Sequence, residues 1–212
     1  MFFSTTDNKG HILRANNVFQ RIAGYSWAEL ENRPHNIIRH PDMPRIVFQL
    51  LWDFIQDGRP IVAYVKNLAH DGRYYWVVAL VVAIPRGYLS VRFKPTSPLR
   101  ATVEQLYSEL RALEAAIESE AGAGRGNDRK AAIAASREAL GTSLRALGFS
   151  GYDEFMRHVL KVEMQSREEA LRKFARAAIR PEAANHSAKL DSLWAAAEEF
   201  DKLVRPEEMT HP

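Results

Sequence analysis

The spacing of apolar residues divides the chain into two parts that meet near residue 96. In the first part, short stretches of β-type alternation are separated by short amphipathic stretches. In the second part, apolar residues recur at three- and four-residue intervals over long distances. The first part opens with two short strand candidates, residues 2–6 and 12–14, on either side of the turn-forming residues 7–10. We therefore expect it to begin with a β-hairpin.

Three helices are predicted after this hairpin. Residues 16–23 carry an apolar face and precede Gly24, a typical helix stop. Ser26 and Glu29 have the spacing of a capping box, which predicts a second, short helix. A longer third helix should extend from residues 43–44 to residues 57–58. Its apolar residues share one face: Val47, Leu50, Leu51, Phe54 and Ile55.

The rest of the first part has the pattern of three strands. Residues 61–69, 74–84 and 88–93 are rich in β-branched and aromatic residues, and the turn signals at 70–72 and 85–87 separate them. The predicted order is β-β-α-α-α-β-β-β. This order indicates an α+β domain in which five strands form one antiparallel sheet and short helices cover one face. A pocket is expected between the helices and the sheet.

The second part is predicted to be entirely helical. Its first helix carries residues at the spacing of a coiled-coil seam: Val103, Leu106, Leu110, Leu113 and Ile117. We favour a homodimer through these helices; the alternative is an amphipathic helix folded back on its own domain. A flexible break is expected at residues 121–128, followed by helices at 129–147, 152–179 and 187–204, with His186 an ordinary residue at a helix start.

Composition excludes several functional classes. The chain has no cysteine, which rules out disulfides and thiolate metal sites, and we predict no metal site. The net charge of +3 is not concentrated in a basic, aromatic-rich stretch, so nucleic acid is not an expected partner. The longest apolar run, residues 77–84, is far too short to span a bilayer, and no signal peptide is visible. We therefore expect a cytoplasmic protein without membrane insertion. Because no phosphate loop, catalytic carboxylate pair or nucleophile elbow appears, we do not expect an enzyme.

Residues 35–44 are the strongest candidate for a functional segment. They combine two histidines, an arginine and an aspartate with two prolines, directly before an apolar helix. Polar groups on a tightly turned backbone are typical of a pocket rim. They could equally form a structural turn in which Arg39, His40 and Asp42 satisfy one another and the local backbone. The residue types alone leave both interpretations open.

The element order and these residues together resemble the PAS sensory domain of aerotaxis receptors. The resemblance covers residues 1–95. Its most specific motif is the run His-Asn-x-x-Arg-His-Pro-Asp-Met-Pro at residues 35–44. The matching positions, in order, are residues 3–7, 15–19, 24–26, 29–30, 35–44, 48, 52, 65–67, 71–72, 75–77 and 88–92.

The resemblance implies a non-covalently bound FAD that reports redox or oxygen state to a separate signalling protein. The cofactor contacts that it implies come from Asn36, Arg39, His40, Asp42, Trp52 and Asn67. Trp52 would form an aromatic wall, and Asn67 can donate and accept hydrogen bonds at the ring's polar edge. Each has a structural alternative: Trp52 as core, Asn67 at a strand edge or bulge, His40 as a helix cap, and Asp42 paired with Arg39.

Two departures from the family pattern bear on the cofactor. The family commonly has a tryptophan after the proline that opens the third strand, and here Ile61 follows Pro60. The family's basic turn after Asn67 is replaced by residues 68–70, which removes positive charge that could serve phosphates. The alternatives are a pocket filled by haem, with His35 or His40 as iron ligand, and an empty pocket in a scaffold protein. The predicted domains are a PAS domain at 1–95, a signalling helix at 99–120 and a helical bundle or dimerisation region at 129–206.

Overall fold

The computed structural model describes residues 1–120 and 126–178. It contains one five-stranded antiparallel sheet in the order β2-β1-β5-β4-β3. The strands are β1 Phe2–Thr6, β2 Ile12–Ala15, β3 Ile61–Leu68, β4 Tyr74–Ile84 and β5 Gly87–Phe93. The helices are α1 Asn17–Ala23, α2 Trp27–Leu30, α3 Arg45–Gln56, α4 Leu99–Glu120, α5 Gly126–Ala146 and α6 Tyr152–Ala178. The predicted fold class is confirmed.

Local sequence signals set the ends of the short helices. Asn16 caps α1 by accepting a hydrogen bond from the Phe19 amide, and Gly24 ends the helix with a φ of 72°. Ser26 and Glu29 form the predicted capping box of α2. At the start of β5, a Cβ on Gly87 would lie 1.8 Å from the Thr6 carbonyl oxygen, so only glycine allows β5 to approach β1 there.

The segment before α3 is a 3₁₀ turn followed by extended backbone. The turn spans His35–Ile38, and the next residue, Arg39, forms an isolated antiparallel bridge with Asn67 of β3. This bridge ties residues 35–44 to the edge of the sheet. Because side chains alternate between the two faces of a strand, Val65 and Asn67 point to one face of β3, while Tyr64 and Lys66 point to the other.

The helical region packs against β3, which is an edge strand of the sheet. The Tyr152 hydroxyl of α6 donates to the Val62 carbonyl at 3.1 Å, and the Tyr107 ring of α4 lies 6.3 Å from the Trp76 ring of β4. The Tyr152 contact satisfies a backbone carbonyl of the edge strand, and the Tyr107 contact packs α4 on β4. Residues Met1–Glu168 form one compact unit, and the second unit begins at Glu169, in the last part of α6.

The predicted seam of α4 is partly buried inside this same chain. Val103, Leu106 and Leu110 are each less than a tenth exposed. α4 packs against α5, so these residues belong to the hydrophobic core. This part of the seam follows the folded-back alternative, and dimerisation through the helices stays a prediction.

Other predictions are not decided by the structure. Of the break expected at 121–128, residues 121–125 lie outside the described residues, and residues 126–128 belong to α5 instead. His186 and the helix at 187–204 also lie outside the described residues. The domain boundaries stay predictions too. Among the helices of the described residues, none is long and apolar enough to cross a membrane.

Candidate functional site

A cavity of about 190 Å³ lies between α3 and one face of the sheet. This volume is far above the roughly 10–15 Å³ that a single water requires. The walls are mainly apolar, with a smaller number of polar groups, which is the usual composition of a small-molecule site. The apolar wall consists of Ile38, Phe48, Leu51, Trp52, Ile55, Val65, Ala79 and Val81.

Four of the six predicted site residues line this cavity. They are Asn36, Arg39, Trp52 and Asn67. His40 and Asp42 do not line it. The Asp42 carboxylate accepts a 2.6 Å hydrogen bond from Lys66 Nζ, and His40 Nδ1 accepts one from the Asp42 amide at 3.2 Å. The proposed pair between Asp42 and Arg39 is therefore replaced by a pair between Asp42 and Lys66.

Arg39 connects the cavity to the backbone that precedes α3. Its guanidinium lies 4.1 Å from the centre of the Phe48 ring and donates to the Met43 carbonyl at 3.1 Å. Burial lowers the pKa of Arg39 to about 10, so the group stays charged at neutral pH. The side chain is thus a fixed positive charge on the cavity wall.

A second buried arginine, Arg92 on β5, lines the same cavity. It is 7% exposed and donates to the Ser4 hydroxyl at 2.9 Å. In the part of the chain that the structure describes, Arg92 has no carboxylate partner. Burial lowers the pKa of Arg92 to about 10. A buried charge without a counter-ion is costly, so such groups are expected to serve a bound anion or a specific mechanism.

His35 completes this polar group. Its Nε2 atom lies 3.2 Å from Ser4 Oγ, and its ring stacks on Phe19. Since Arg92 can only donate, Ser4 Oγ accepts from Arg92 and its own proton is available to Nε2 of a neutral His35. Burial, with the Arg92 charge adding to it, holds the pKa of His35 well below its usual range, in agreement with a neutral ring.

Two polar atoms on the cavity wall have no hydrogen-bond partner among the described residues. They are Asn67 Nδ2 and Ser90 Oγ. Tyr75, which lies opposite Asn67 in the β3–β4 register, places its buried hydroxyl near the Asn67 side chain, and burial raises the pKa of Tyr75 to about 12. Because buried polar groups are normally satisfied, donors without partners on a cavity wall indicate a ligand or ordered water.

The charges around the cavity have one sign. Lys9, Arg39 and Arg92 line it, and among the described residues no aspartate or glutamate does. Lys9 is exposed, whereas Arg92 is buried, so positive charge is available both outside and deep inside the cavity. This arrangement favours a ligand with negative charge.

Trp52 forms an aromatic wall of the cavity. Its ring makes an edge contact with Tyr88 at 5.8 Å between ring centres, and it lies close to Gly10. A Cβ on Gly10 would come within 3.2 Å of this ring, and the φ of Gly10 is 85°, which suits glycine. Trp52 is therefore held between the first hairpin and the last strand.

The two departures from the family pattern lie outside the cavity. Ile61 is fully buried in the core and does not line the cavity. In the turn after Asn67, His70 packs against Tyr25 and its amide donates to the Ala23 carbonyl. Lys9, on the first hairpin, places a positive charge at the cavity despite the loss of the basic turn.

Arg92 and Ser90 were not predicted as site residues, and His35 was predicted only as an iron ligand in the haem alternative. The signal for two of them is in the sequence: Tyr88, Ser90 and Arg92 alternate along the last strand and therefore share one face. Over the described ranges, no cluster of three or more His, Asp or Glu residues could hold a metal ion. His35 is the histidine that lines the cavity, but its Nε2 atom is engaged by Ser4.

Comparison with known proteins agrees with this architecture. Residues 12–90 match the family model of the PAS fold. These residues form a PAS domain. The predicted PAS domain is thus confirmed, and the candidate cavity is formed by these residues and by residues that flank them on both sides.

Two curated relatives match part of the chain. The aerotaxis receptor of Escherichia coli (strain K12) is 41% identical over 114 residues, which cover 51% of this chain and 22% of the relative. The nitrogen fixation regulatory protein of Klebsiella pneumoniae is 34% identical over 74 residues, 35% of this chain and 15% of the relative. The chain therefore spans about a fifth or less of the length of these relatives.

Solved structures with a similar chain course include light-oxygen-voltage domains. One, described together with a flavin analogue, has a TM-score of 0.44 and 20% identity and covers 51% of this chain and 86% of its own. The blue-light photoreceptor Aureochrome1 in its light state has a TM-score of 0.43 and 22% identity, and covers 48% of this chain and 86% of its own.

Proposed function

We propose that this protein senses a signal through a flavin, FAD, bound in the PAS cavity, and reports redox or oxygen state through its C-terminal helices. The observation that carries the proposal is the cavity itself, where unpartnered donors and cations surround an apolar slot. The similarity of about half the chain to an aerotaxis receptor supports the same conclusion.

The polar residues of the cavity fit the needs of a flavin ring. Asn67 and Ser90 offer polar atoms that have no partner among the described side chains and backbone. Because the Asn67 amide both donates and accepts, it can hydrogen-bond an acceptor atom in one redox state and a donor in the other. Trp52 can pack on the ring. A bound flavin would supply reversible electron transfer.

The positive charges fit a nucleotide with phosphates. FAD carries a diphosphate, and Lys9, an exposed residue that lines the cavity, is available to it. Arg39 is partly buried and Arg92 is buried, and both are available to the oxygen atoms of the ring. His40 and Asp42 have no part in this proposal, because they pair with each other and with Lys66 away from the cavity.

We further propose that the protein is a sensor and not an enzyme. It would act in the cytoplasm, assemble as a homodimer and pass its signal to a separate signalling protein. The relation to an aerotaxis receptor supports a role in signal transduction.

The absorption spectrum of the purified protein tests the flavin. We expect the two visible bands of an oxidised flavin, either after purification or after incubation with FAD and removal of unbound FAD. Asn67→Ala and Trp52→Ala should lower the bound fraction, and Asn8→Ala, an exposed residue of the first hairpin, should leave it unchanged.

The same spectrum separates the alternatives. A Soret band in place of flavin bands would point to haem, for which His35 is the histidine at the cavity. Protein that takes up neither cofactor would act as an interaction scaffold, and the flavin proposal would then be wrong.

A further inference from the structure

The N-terminus of α3, the helix that forms one wall of the cavity, is capped by a residue of another helix. Its own N-cap is Pro44, which has no side-chain oxygen and makes no capping hydrogen bond. The first amides of a helix lack partners within the helix. Here the amides of Arg45 and Ile46 donate to the Glu114 carboxylate of α4, at 2.7 and 3.0 Å.

Glu114 is fully buried and is held from α5 as well. The Ser136 hydroxyl donates to Glu114 Oε1 at 2.8 Å. The negative charge lies at the positive end of the α3 dipole, where a carboxylate is stabilised. One side chain therefore joins three helices, α3, α4 and α5.

Neighbouring contacts join α4 to the segment that precedes α3. Arg45 pairs with Glu118, and Arg111 Nε donates to the Pro41 carbonyl at 3.3 Å. The same segment also contacts the cavity, because Arg39 lines the cavity and donates to the Met43 carbonyl. Residues 39–46 thus lie between the cavity and α4.

We propose that Glu114 is a positioning residue that couples the cavity to the helical region. It sets the position of α3 and hence of Phe48 and Trp52, which line the cavity. Ligand binding and the docking of α4 and α5 then favour each other, because coupling between two sites is reciprocal. The inference rests on the flavin proposal for its ligand, and on the contacts of Glu114 for the coupling itself.

A second buried glutamate provides a matched control. Glu163 of α6 is also fully buried, but its donors are Tyr64 of β3 and residues 96–97, not α3. Glu114→Ala should weaken FAD binding about tenfold, measured by quenching of flavin fluorescence. Glu163→Ala should change the affinity less than about twofold, even where its loss of melting temperature is equal or larger. Glu114→Gln keeps an acceptor oxygen and should restore most of the affinity.

Hydrogen exchange gives the signature that a purely structural role would not produce. FAD should slow amide exchange in α4 and α5 of the wild type and of Glu163→Ala, but not of Glu114→Ala. Equal affinities for the two alanine variants, with the same FAD-dependent protection, would overturn the coupling.

Amide hydrogen exchange of the ligand-free protein tests this inference independently of the flavin proposal. If the wild type takes up no FAD, the proposed function fails. Glu114→Ala should still speed exchange across residues 47–52 of α3 by about tenfold more than Glu163→Ala does. Equal exchange at these residues in the two variants would overturn the positioning role on its own.

Discussion

The buried charge at the contact between the helices and the sheet and the buried charge in the cavity differ in how many hydrogen bonds they make. At the helical contact, the Glu163 carboxylate accepts hydrogen bonds from the Tyr64 hydroxyl at 2.7 Å, the Thr96 amide at 2.7 Å and the Ser97 hydroxyl at 2.8 Å. In the cavity, Arg92 has a single hydroxyl as partner, and nearby polar groups have none among the described residues. The first charge is satisfied within the chain and the second is not.

This difference distinguishes a structural contact from a ligand-binding site. A buried charge that is fully hydrogen-bonded contributes to a unique packing, while an unsatisfied one costs stability unless something else binds it. The distinction holds for the charged groups only. A neutral group at the helical contact, Trp76 Nε1, also has no partner in the described part of the chain.

The largest expected effect comes from removing the satisfied charge. Glu163→Ala leaves the Tyr64 hydroxyl and the amide and hydroxyl of Ser97, all of them buried, without their carboxylate acceptor. Each unsatisfied buried donor costs about 1–3 kcal/mol, so we expect a loss of at least about 3 kcal/mol in the free energy of unfolding. Urea denaturation measures this loss.

A matched pair of variants sharpens that result. Glu163→Gln retains one acceptor oxygen and should lose about half as much stability as Glu163→Ala. Glu109→Ala, at an exposed position of α4, should stay within about 0.5 kcal/mol of the wild type. If Glu163→Ala were as stable as Glu109→Ala, the helical contact would not be a structural one.

The cavity side should respond to pH through His35. Its pKa is held well below 6.5 in the folded protein by burial, so only the unfolded chain takes up this proton as the pH falls below 6.5. The contribution of neutral His35 to the free energy of unfolding is fully present above pH 6.5. Below pH 6.5 it decreases by up to about 1.4 kcal/mol per pH unit. Urea denaturation at pH 6.5 and 5.5 should show this loss in the wild type.

Substitution isolates the histidine from other titrating groups. In His35→Gln the decrease between pH 6.5 and 5.5 should be smaller than in the wild type by about 1.4 kcal/mol at most. His158→Gln, at an exposed position of α6, should follow the wild type. Parallel curves for His35→Gln and the wild type would mean that His35 takes up a proton in the folded protein.

Removing the unsatisfied charge should change the stability of ligand-free protein in the opposite direction from removing the satisfied charge. Arg92→Met replaces a buried cation with an apolar side chain of similar length. Replacing buried ions in this way is often neutral or stabilising, so we expect ligand-free protein to gain about 1 kcal/mol or stay unchanged. FAD affinity should fall by about tenfold, since a buried charge-assisted contact is lost.

The control for Arg92→Met is an arginine on the protein surface. Arg73→Met removes a side chain that is 86% exposed and pairs with Asp71, and should change neither stability nor FAD affinity appreciably. A large loss of ligand-free stability in Arg92→Met would show that this charge is structural, like Glu163, and the comparison would no longer hold.

The elements of the PAS domain could be predicted because each carries its own local signal. The stop at Gly24, the capping box of Ser26 and Glu29 and the turn at residues 70–72 act over a few residues, and the structure has helix and strand ends at these positions. Trp52 and Asn67 could be identified because the family resemblance marks them individually. The family resemblance also identifies His40 and Asp42. However, the Lys66 side chain, 24 residues from Asp42, binds the Asp42 carboxylate away from the cavity.

The remaining features depend on contacts between distant parts of the chain. The role of Arg92 follows from its hydrogen bond to Ser4, 88 residues away in sequence. The seam of α4 fits a dimer and a folded-back helix equally well, because both bury the same face. The contacts of Glu114 with α3, 68 and 69 residues distant, show that α4 packs within this chain.

The smallest effect on stability is expected at Ser90, and it tests the cavity side most directly. The Ser90 hydroxyl is buried and has no hydrogen-bond partner in the described residues, so Ser90→Ala removes a polar atom that gains nothing from the fold. The free energy of unfolding without ligand should therefore change by less than about 0.5 kcal/mol, or rise slightly. If the hydroxyl serves the flavin, the same variant should bind FAD several-fold more weakly, since one neutral hydrogen bond contributes about 1 kcal/mol. Ser4→Ala is the contrasting variant, because Ser4 already bonds Arg92 and His35 and its loss should reduce stability even without ligand. A Ser90→Ala variant that loses stability but keeps its FAD affinity would place Ser90 with the satisfied, structural groups.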